Sequence, residues 1–170
     1  RPPLPAGPPA APHPRRVASS VVLRGTALHR GVPAAVRLSR ATGHLVVAQH
    51  GAEAAIDALE PVRTDRGVTL ASRDGRIAVD LVEHLFAAIG GLGVTGLRIE
   101  PDGPELPLLD GGAARFAEAL RRLELLEAPH RLRIAREDVI AIGRSVYRFA
   151  PGPGIVLRVD VDFPAPVGRE

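Results

Sequence analysis

Short apolar segments with the β-branched content of strands dominate the first third of the chain. They are RRVASSVVLRG, VPAAVRLSR and GHLVVAQ, and glycine-containing turns separate them. This pattern is typical of short strands bounded by turns, so we predict a β-rich start. Two further segments, GVTLAS and RIAV, flank RDG, in which Asp74 and Gly75 form a hairpin signal. A hairpin is therefore predicted over 67–79.

The spacing of apolar residues changes to that of a helix from Leu81 onward. The apolar positions of this stretch are Val82, Leu85, Phe86, Ile89 and Leu92. Recurrence every three or four residues predicts an amphipathic helix, which Gly90 and Gly91 are expected to end. A second helix is predicted from about 113 to 126, with Asp110 as its N-cap.

The other stretches return to strand spacing. VTGLRIEP lies between the predicted helices, and RLRIAREDVIAI, SVYRFAP and GIVLRVDVDF follow the second one. Strands interrupted by two helices predict an α+β fold, a two-layer sandwich of β-sheet and helices. We divide the chain into a disordered Pro/Ala-rich lead at 1–14, an N-terminal α+β domain at 15–128, and the start of a second, truncated α+β domain at 129–170.

The composition of the 170 residues excludes several classes of protein. The chain has no Cys, Met or Trp, which rules out disulfides and thiolate metal sites and predicts an aliphatic core. No apolar run approaches the roughly 20 residues that span a bilayer, so no transmembrane segment is predicted and a cytoplasmic location is expected. The pI near 10.7 reflects 22 arginines against 19 acidic residues, a formal charge of only +3. Without a basic run or stacking aromatics, nucleic acid is not an expected partner.

The adjacent pair Glu83 and His84 at the start of the first helix has two interpretations. Asp80 and Glu83 are spaced as a capping box, in which the Glu side chain returns to the N-cap amide. Alternatively, His84 gives a neutral imidazole to zinc while Glu83 takes a proton from water. Asp80 stands where an H-x-x-E-H zinc peptidase has its first histidine, which argues against that class. The other histidines, none at helical spacing from another, are His13, His29, His44, His50 and His130.

Beyond this pair, the sequence resembles a known family over about 16–163. GTALHRG resembles that family's G-x-G-L-H-x-G turn, and VDVDF resembles the element that opens its second domain. LVEHLFAAIGGLGVTGLRIEPDGPELPLLDGGAARF is similar to its longest motif, which runs from T-V-E-H-L to P-E-(I/V)-P and D-G-S-A. The family is that of the zinc-dependent UDP-3-O-acyl-N-acetylglucosamine deacetylases, which carry out the committed step of lipid A synthesis in Gram-negative bacteria.

The resemblance implies roles for five residues and a cofactor, Zn²⁺. Glu83 is implied as the general base and His84 as a zinc ligand. His29 lies in the turn near the family's active site and is implied in substrate binding, while Glu105 and Asp110 support the site. The implied substrate is UDP-3-O-acyl-N-acetylglucosamine, whose N-acetyl group is hydrolysed. Two α+β layered domains with the active site between them are implied, and the protein is expected to be monomeric.

Departures from the family pattern leave an alternative open. Leu81 replaces the family's Thr, Gly112 replaces the Ser of D-G-S-A, and Pro164 and Ala165 interrupt D-x-H-P. The family's remaining zinc ligands and general-acid histidine belong to its second half, so we expect a piece of a longer protein that is inactive alone. The alternative is a non-catalytic, shortened paralogue that acts as a binding or interaction module.

Overall fold

The fold comes from a computed structural model that describes residues 19–123, 133–154, 156–166 and 168–169. The predicted disordered lead at 1–14 lies outside these residues. The chain divides into two compact units, Arg1–Pro129 and His130–Glu170.

The first unit alternates strands and helices. Its strands are β1 (Ser20–Thr26), β2 (Pro33–Arg40), β3 (Val46–Gln49), β4 (Ala52–Ala55), β5 (Glu60–Arg63), β6 (Thr69–Ala71), β7 (Ala78–Asp80) and β8 (Leu97–Pro101). Its helices are α1 (Glu83–Leu92) and α2 (Ala114–Arg121), and a 3-10 turn spans Ile56–Ala58. Mixed sheets with few helices agree with the predicted α+β class.

A five-stranded sheet carries most of the core side chains. Its order is β1-β2-β8-β3-β4, and every pairing is antiparallel except that of β3 with β8. Within β2, Val36 and Leu38 are fully buried while Arg37 between them is exposed, because successive side chains point to opposite faces. Ile99 of β8 pairs with Leu38 and continues the buried face.

The strands β5, β6 and β7 form a separate three-stranded sheet that leads into α1. β6 and β7 are antiparallel, with Thr69 opposite Asp80 and Ala71 opposite Ala78. Gly75 in the connecting turn has φ 71°, a left-handed conformation that glycine adopts without strain. The predicted hairpin is therefore confirmed, and it delivers Asp80 to the residues just before α1.

The helix α1 packs through one face and ends at a left-handed glycine. Leu85, Ala88 and Ile89 are its buried residues. Gly93 has φ 64°, and its N–H bonds back to carbonyls in the last turn, a C-terminal cap that needs no side chain. The predicted end at Gly90 and Gly91 is thus wrong by two residues, because both glycines continue the helix and the left-handed residue comes later.

The helix α2 begins without the predicted cap. Its N-cap is Ala113, which makes no side-chain cap bond, whereas Asp110 Oδ1 accepts a hydrogen bond from the Gly112 amide at 3.2 Å. The Asp110 carboxylate is hydrogen-bonded within this local turn and does not cap α2, so the N-cap prediction is wrong. The predicted helix end at 124–126 lies outside the described residues.

One apolar cluster joins the five-stranded sheet to both helices. Its members include Val36, Leu38, Val47, Leu97, Ile99, Leu85, Ile89, Phe116, Leu120 and Leu123. The cluster is almost entirely aliphatic, as the composition predicts, and Phe116 on α2 is fully buried within it. Both helices are therefore fixed mainly by hydrophobic burial, since neither has a side-chain cap at its N-terminus.

The second unit contains one hairpin among its described residues. β9 (Asp138–Ile142) and β10 (Ser145–Phe149) are antiparallel, with a turn at Gly143. The strand predicted for GIVLRVDVDF is wrong, since residues 156–161 form no ladder and only an isolated bridge joins Asp162 to Arg169. Alternation predicts which side chains share a face, but a strand also requires a partner. Of the helices described in either unit, none is long and apolar enough to cross a membrane.

Candidate active site

Glu83 and His84 occupy the first turn of α1 and are both partly accessible. Their side chains are 35% and 26% exposed, and His84 Nε2 lies 3.9 Å from Glu83 Oε1. The chain reaches this turn through Leu81, a buried non-glycine residue at φ 61°. Carboxylate and imidazole are therefore presented together at a helix start, where the helix dipole favours the anion.

The capping-box interpretation of this turn is wrong. Val82 occupies the N-cap position and makes no side-chain cap bond. Asp80 is instead the last residue of β7, and its amide donates to the Pro104 carbonyl at 2.8 Å. The amide that Glu83 would have capped is already used by a neighbouring segment, so the Glu83 side chain has another partner.

That partner is the loop between β5 and β6. The Val68 amide donates to Glu83 Oε2 at 2.9 Å, across 15 positions of sequence. A Cβ atom added to Gly67 would lie 3.4 Å from Glu83 Oε1 and 3.3 Å from His29 Cε1, so the loop backbone passes closely between these side chains. One carboxylate oxygen of Glu83 is thus held by the loop, and the other faces His84.

His29 lies in the turn between β1 and β2 and contacts two distant segments. Its backbone amide donates to Glu105 Oε1 at 2.8 Å, and its Nδ1 lies 3.1 Å from the same oxygen. Its Nε2 lies 2.8 Å from the carbonyl oxygen of Arg66. The structure therefore joins His29 to Glu105, 76 positions away, and to the loop that holds Glu83.

Glu105 is an almost completely buried carboxylate. It is 1% exposed, and the segment that carries it bridges to Asp80 on one side and, through Pro107, to Ala27 on the other. Its Oε2 has no hydrogen-bond partner among the described residues, and Arg30 Nε lies 3.8 Å away. Burial of a carboxylate is costly unless it is paired, so this position is held by His29 and Arg30 together.

Asp110 lies apart from this group. No described contact joins it to Glu83 or His84, and its carboxylate turns back onto Gly112. It lines a shallow cavity of about 450 Å³ with Arg24, Leu28, Leu109 and Arg115, among others. Of the five residues singled out by sequence, the structure brings Glu83, His84, His29 and Glu105 to one locality.

A second polar group beside the site was missed by sequence reasoning. Asp80 Oδ1 accepts a hydrogen bond from the Thr69 hydroxyl at 2.6 Å and lies 3.2 Å from Arg63 Nη2. Arg30 Nη2 approaches the other oxygen of Asp80 at 3.7 Å. The pairing of Thr69 with Asp80 follows from the register of the predicted hairpin, so that contact was accessible from sequence. The approach of Arg30 was not.

The described side chains of this site include too few metal ligands for a complete metal centre. His84 can offer an imidazole nitrogen and Glu83 a carboxylate, but no group of three or more His, Cys, Asp or Glu side chains suited to a metal occurs among the residues that the structure describes. A catalytic zinc takes about three protein ligands. The described residues therefore supply fewer ligands than a catalytic zinc takes.

Comparison with known proteins agrees with the sequence resemblance. A family model described as "LpxC: UDP-3-O-acyl N-acetylglycosamine deacetylase" matches residues 14–170. Curated proteins named UDP-3-O-acyl-N-acetylglucosamine deacetylase from Brucella melitensis biotype 2, Brucella ovis and Brucella abortus strain S19 are each 36% identical over 166 residues. The match covers 92% of this chain and 57% of each of these relatives.

Proposed function

Because this chain belongs to the LpxC family of UDP-3-O-acyl N-acetylglycosamine deacetylases, we propose that it forms part of an enzyme that hydrolyses the N-acetyl group of UDP-3-O-acyl-N-acetylglucosamine in lipid A biosynthesis. The observation that carries the proposal is the Glu83–His84 pair within the matched region, with the Glu83 carboxylate held by the Val68 amide. This hydrogen bond orients a carboxylate that stays 35% exposed beside the His84 imidazole, which supports a role as a base.

In this proposal His84 is one ligand of a Zn²⁺ ion. The ion, when bound, supplies the Lewis acidity that polarises an amide carbonyl and lowers the pKa of water. The remaining ligands and the group that protonates the leaving amine are assigned to other residues of the enzyme, so the chain by itself is expected to be inactive.

Glu83 is proposed as the general base. The Val68 amide fixes Oε2, which leaves Oε1 to accept the proton of the attacking water. A base on the first turn of a packed helix is restricted in its motion, and such positioning is part of how proton transfer is accelerated. The finer architecture, a two-layer sandwich repeated in a second domain, belongs to the same proposal, as do a cytoplasmic location and a monomeric state.

The test uses the intact protein that contains this chain. Glu83→Gln keeps the shape of the side chain but removes the base, so we expect kcat for acetate release to fall by about 10²–10⁴-fold. His84→Gln is expected to lower the zinc content measured by mass spectrometry. Glu118→Gln, at an exposed position on α2, is the matched control and should leave both quantities unchanged. Retention of more than about a tenth of kcat by Glu83→Gln would contradict its assignment.

The alternative, a non-catalytic binding module, makes a different prediction for the same material. Its motivation is Leu81, a buried side chain with left-handed backbone where the family pattern has Thr. A module of this kind would bind the acylated UDP-sugar, as measured by calorimetry, without releasing acetate from it. Acetate release that depends on Glu83 rules this alternative out.

A further inference from the structure

We propose that His29 is a positioning residue that orients the Glu83 carboxylate through the Arg66–Val68 segment and is itself held by Glu105. The contacts from Glu105 through His29 to the Arg66 carbonyl are called the His29 bridge. The catalytic part of the inference rests on the proposed function, whereas the structural part does not. Substrate binding, the role that the resemblance suggests for His29, is the competing assignment.

The anchor of the bridge is the buried carboxylate of Glu105. Its Oε1 receives both the backbone amide and the Nδ1 side of His29, so main chain and side chain are fixed by one atom. Two contacts to one oxygen restrict both the position of the turn and the rotation of the ring. Arg30 at 3.8 Å from Oε2 adds a favourable charge to the same carboxylate.

The ring lies between two oxygen acceptors. A neutral imidazole has one N–H group, so it donates to one acceptor only, unless the carboxyl group carries the second proton. Nδ1 lies 3.1 Å from Glu105 Oε1 and Nε2 lies 2.8 Å from the Arg66 carbonyl oxygen, so both ring nitrogens face protein oxygens and neither is open to substrate or metal while the bridge stands.

The far end of the bridge holds a strained piece of backbone. Arg66 has φ 57° and the next residue, Gly67, has φ 140°. A non-glycine residue in the left-handed region persists where its surroundings fix it. The His29 contact to the Arg66 carbonyl is one such constraint, and the Val68 amide that follows is the donor to Glu83 Oε2. Release of the carbonyl therefore allows the loop to relax and the amide to leave the base.

The first experiment measures hydrogen exchange at the Val68 amide by NMR in the intact protein. His29→Gln is expected to accelerate this exchange about tenfold, the ratio that corresponds to one hydrogen bond of ~1.4 kcal/mol. The Phe86 amide, which donates to the Val82 carbonyl at 3.0 Å, reports on general loss of structure and should not change. His44→Gln, at an exposed residue between β2 and β3, is the matched histidine control.

Variants of Glu105 test the anchor without changing the ring. Glu105→Gln keeps an oxygen that can accept from the His29 amide and should leave Val68 exchange close to that of the wild type. Glu105→Leu removes the acceptor and should accelerate the exchange as His29→Gln does. In a Glu83→Ala background the Val68 amide has already lost its acceptor. Neither His29→Gln nor Glu105→Leu should then accelerate the hydrogen exchange of Val68 any further.

The second experiment separates positioning from substrate binding by kinetics. A displaced base lowers kcat, by up to about 100-fold for a shift near 1 Å, with KM little changed. A lost substrate contact raises KM instead. Unchanged Val68 exchange in both His29→Gln and Glu105→Leu, or a raised KM with wild-type kcat in His29→Gln, overturns the inference. If the intact wild-type protein shows no deacetylase activity, the proposed function fails, while the exchange results still decide whether the bridge exists.

Discussion

Gly67 should tolerate an added side chain poorly, because its φ is positive and its backbone passes between His29 and Glu83. An added Cβ would lie 3.3 Å from His29 Cε1, 3.4 Å from Glu83 Oε1 and 3.4 Å from Leu81 Cδ1. These three atoms approach from separate segments, and each belongs to a residue held by its own contacts or burial. The substitution Gly67→Ala therefore tests whether the loop is packed against the site as closely as the structure shows.

The cost of Gly67→Ala has two parts that can be separated. Its φ of 140° lies in a region that is essentially restricted to glycine, and the strain of placing alanine there is about 1–3 kcal/mol. The contacts at 3.4 Å are ordinary van der Waals distances, so only the approach to His29 Cε1 at 3.3 Å adds crowding, which costs about 1 kcal/mol. We therefore expect the free energy of unfolding to fall by about 2–4 kcal/mol.

Gly75→Ala supplies the matched control. Gly75 also has positive φ, 71°, but nothing lies within 4 Å of an added Cβ. Its expected cost is about 1–2 kcal/mol, from backbone strain alone. Urea unfolding of the wild type and both variants at equal m-value gives the three free energies. If Gly67→Ala costs no more than Gly75→Ala, the close approach of the loop to His29 and Glu83 is wrong.

Three further predictions concern the first unit. Gly96→Ala should prevent folding, because its Cβ would overlap the Ala41 carbonyl oxygen, and we expect expression of folded protein to be lost as judged by circular dichroism. Phe116→Ala in the core should lower the free energy of unfolding by about 3–5 kcal/mol in urea titrations. The Ser72 hydroxyl is the main group that holds the pKa of Asp74 below its ordinary value of 3.8, so Ser72→Ala should raise that pKa in an NMR titration. Because the folded pKa is the lowered one, the associated stability is present above pH 3.8 and disappears as the pH falls through the folded value; an unshifted Asp74 in the wild type would contradict this.

Local sequence signals located the elements but misassigned their ends. The 3.6-residue spacing from Leu81 and the turn signal at Asp74 and Gly75 depend on neighbours a few positions apart, and both correspond to real elements. The cap predictions failed because other groups already form hydrogen bonds with the atoms that the caps would use. The Asp80 amide is taken by the Pro104 carbonyl, and Asp110 turns onto Gly112. These other groups come from distant segments or from the local turn, and the spacing of apolar residues does not predict them.

The strand predicted for GIVLRVDVDF failed for a related reason. Its alternation describes two faces of a ribbon, yet residues 156–161 have no ladder among the described residues. By contrast β3, a segment of only four residues, is a strand because β8 and β4 lie on either side of it. Pairing with β8 is parallel and joins Val47 to Ile99, a contact between distant positions that no local pattern indicates.

The sequence by itself determined the α+β composition, the hairpin before α1, the aliphatic character of the core and, through its motifs, the family and the adjacent Glu83 and His84. Tertiary structure alone decided what holds these two residues: the Val68 amide on Glu83, and the His29 contacts to Glu105 and to the Arg66 carbonyl. The physical reason is the separation along the sequence over which each interaction acts. Periodicity and turn chemistry act within a few residues, whereas a hydrogen bond across 15 or 76 positions exists only after burial of the core has brought the segments together.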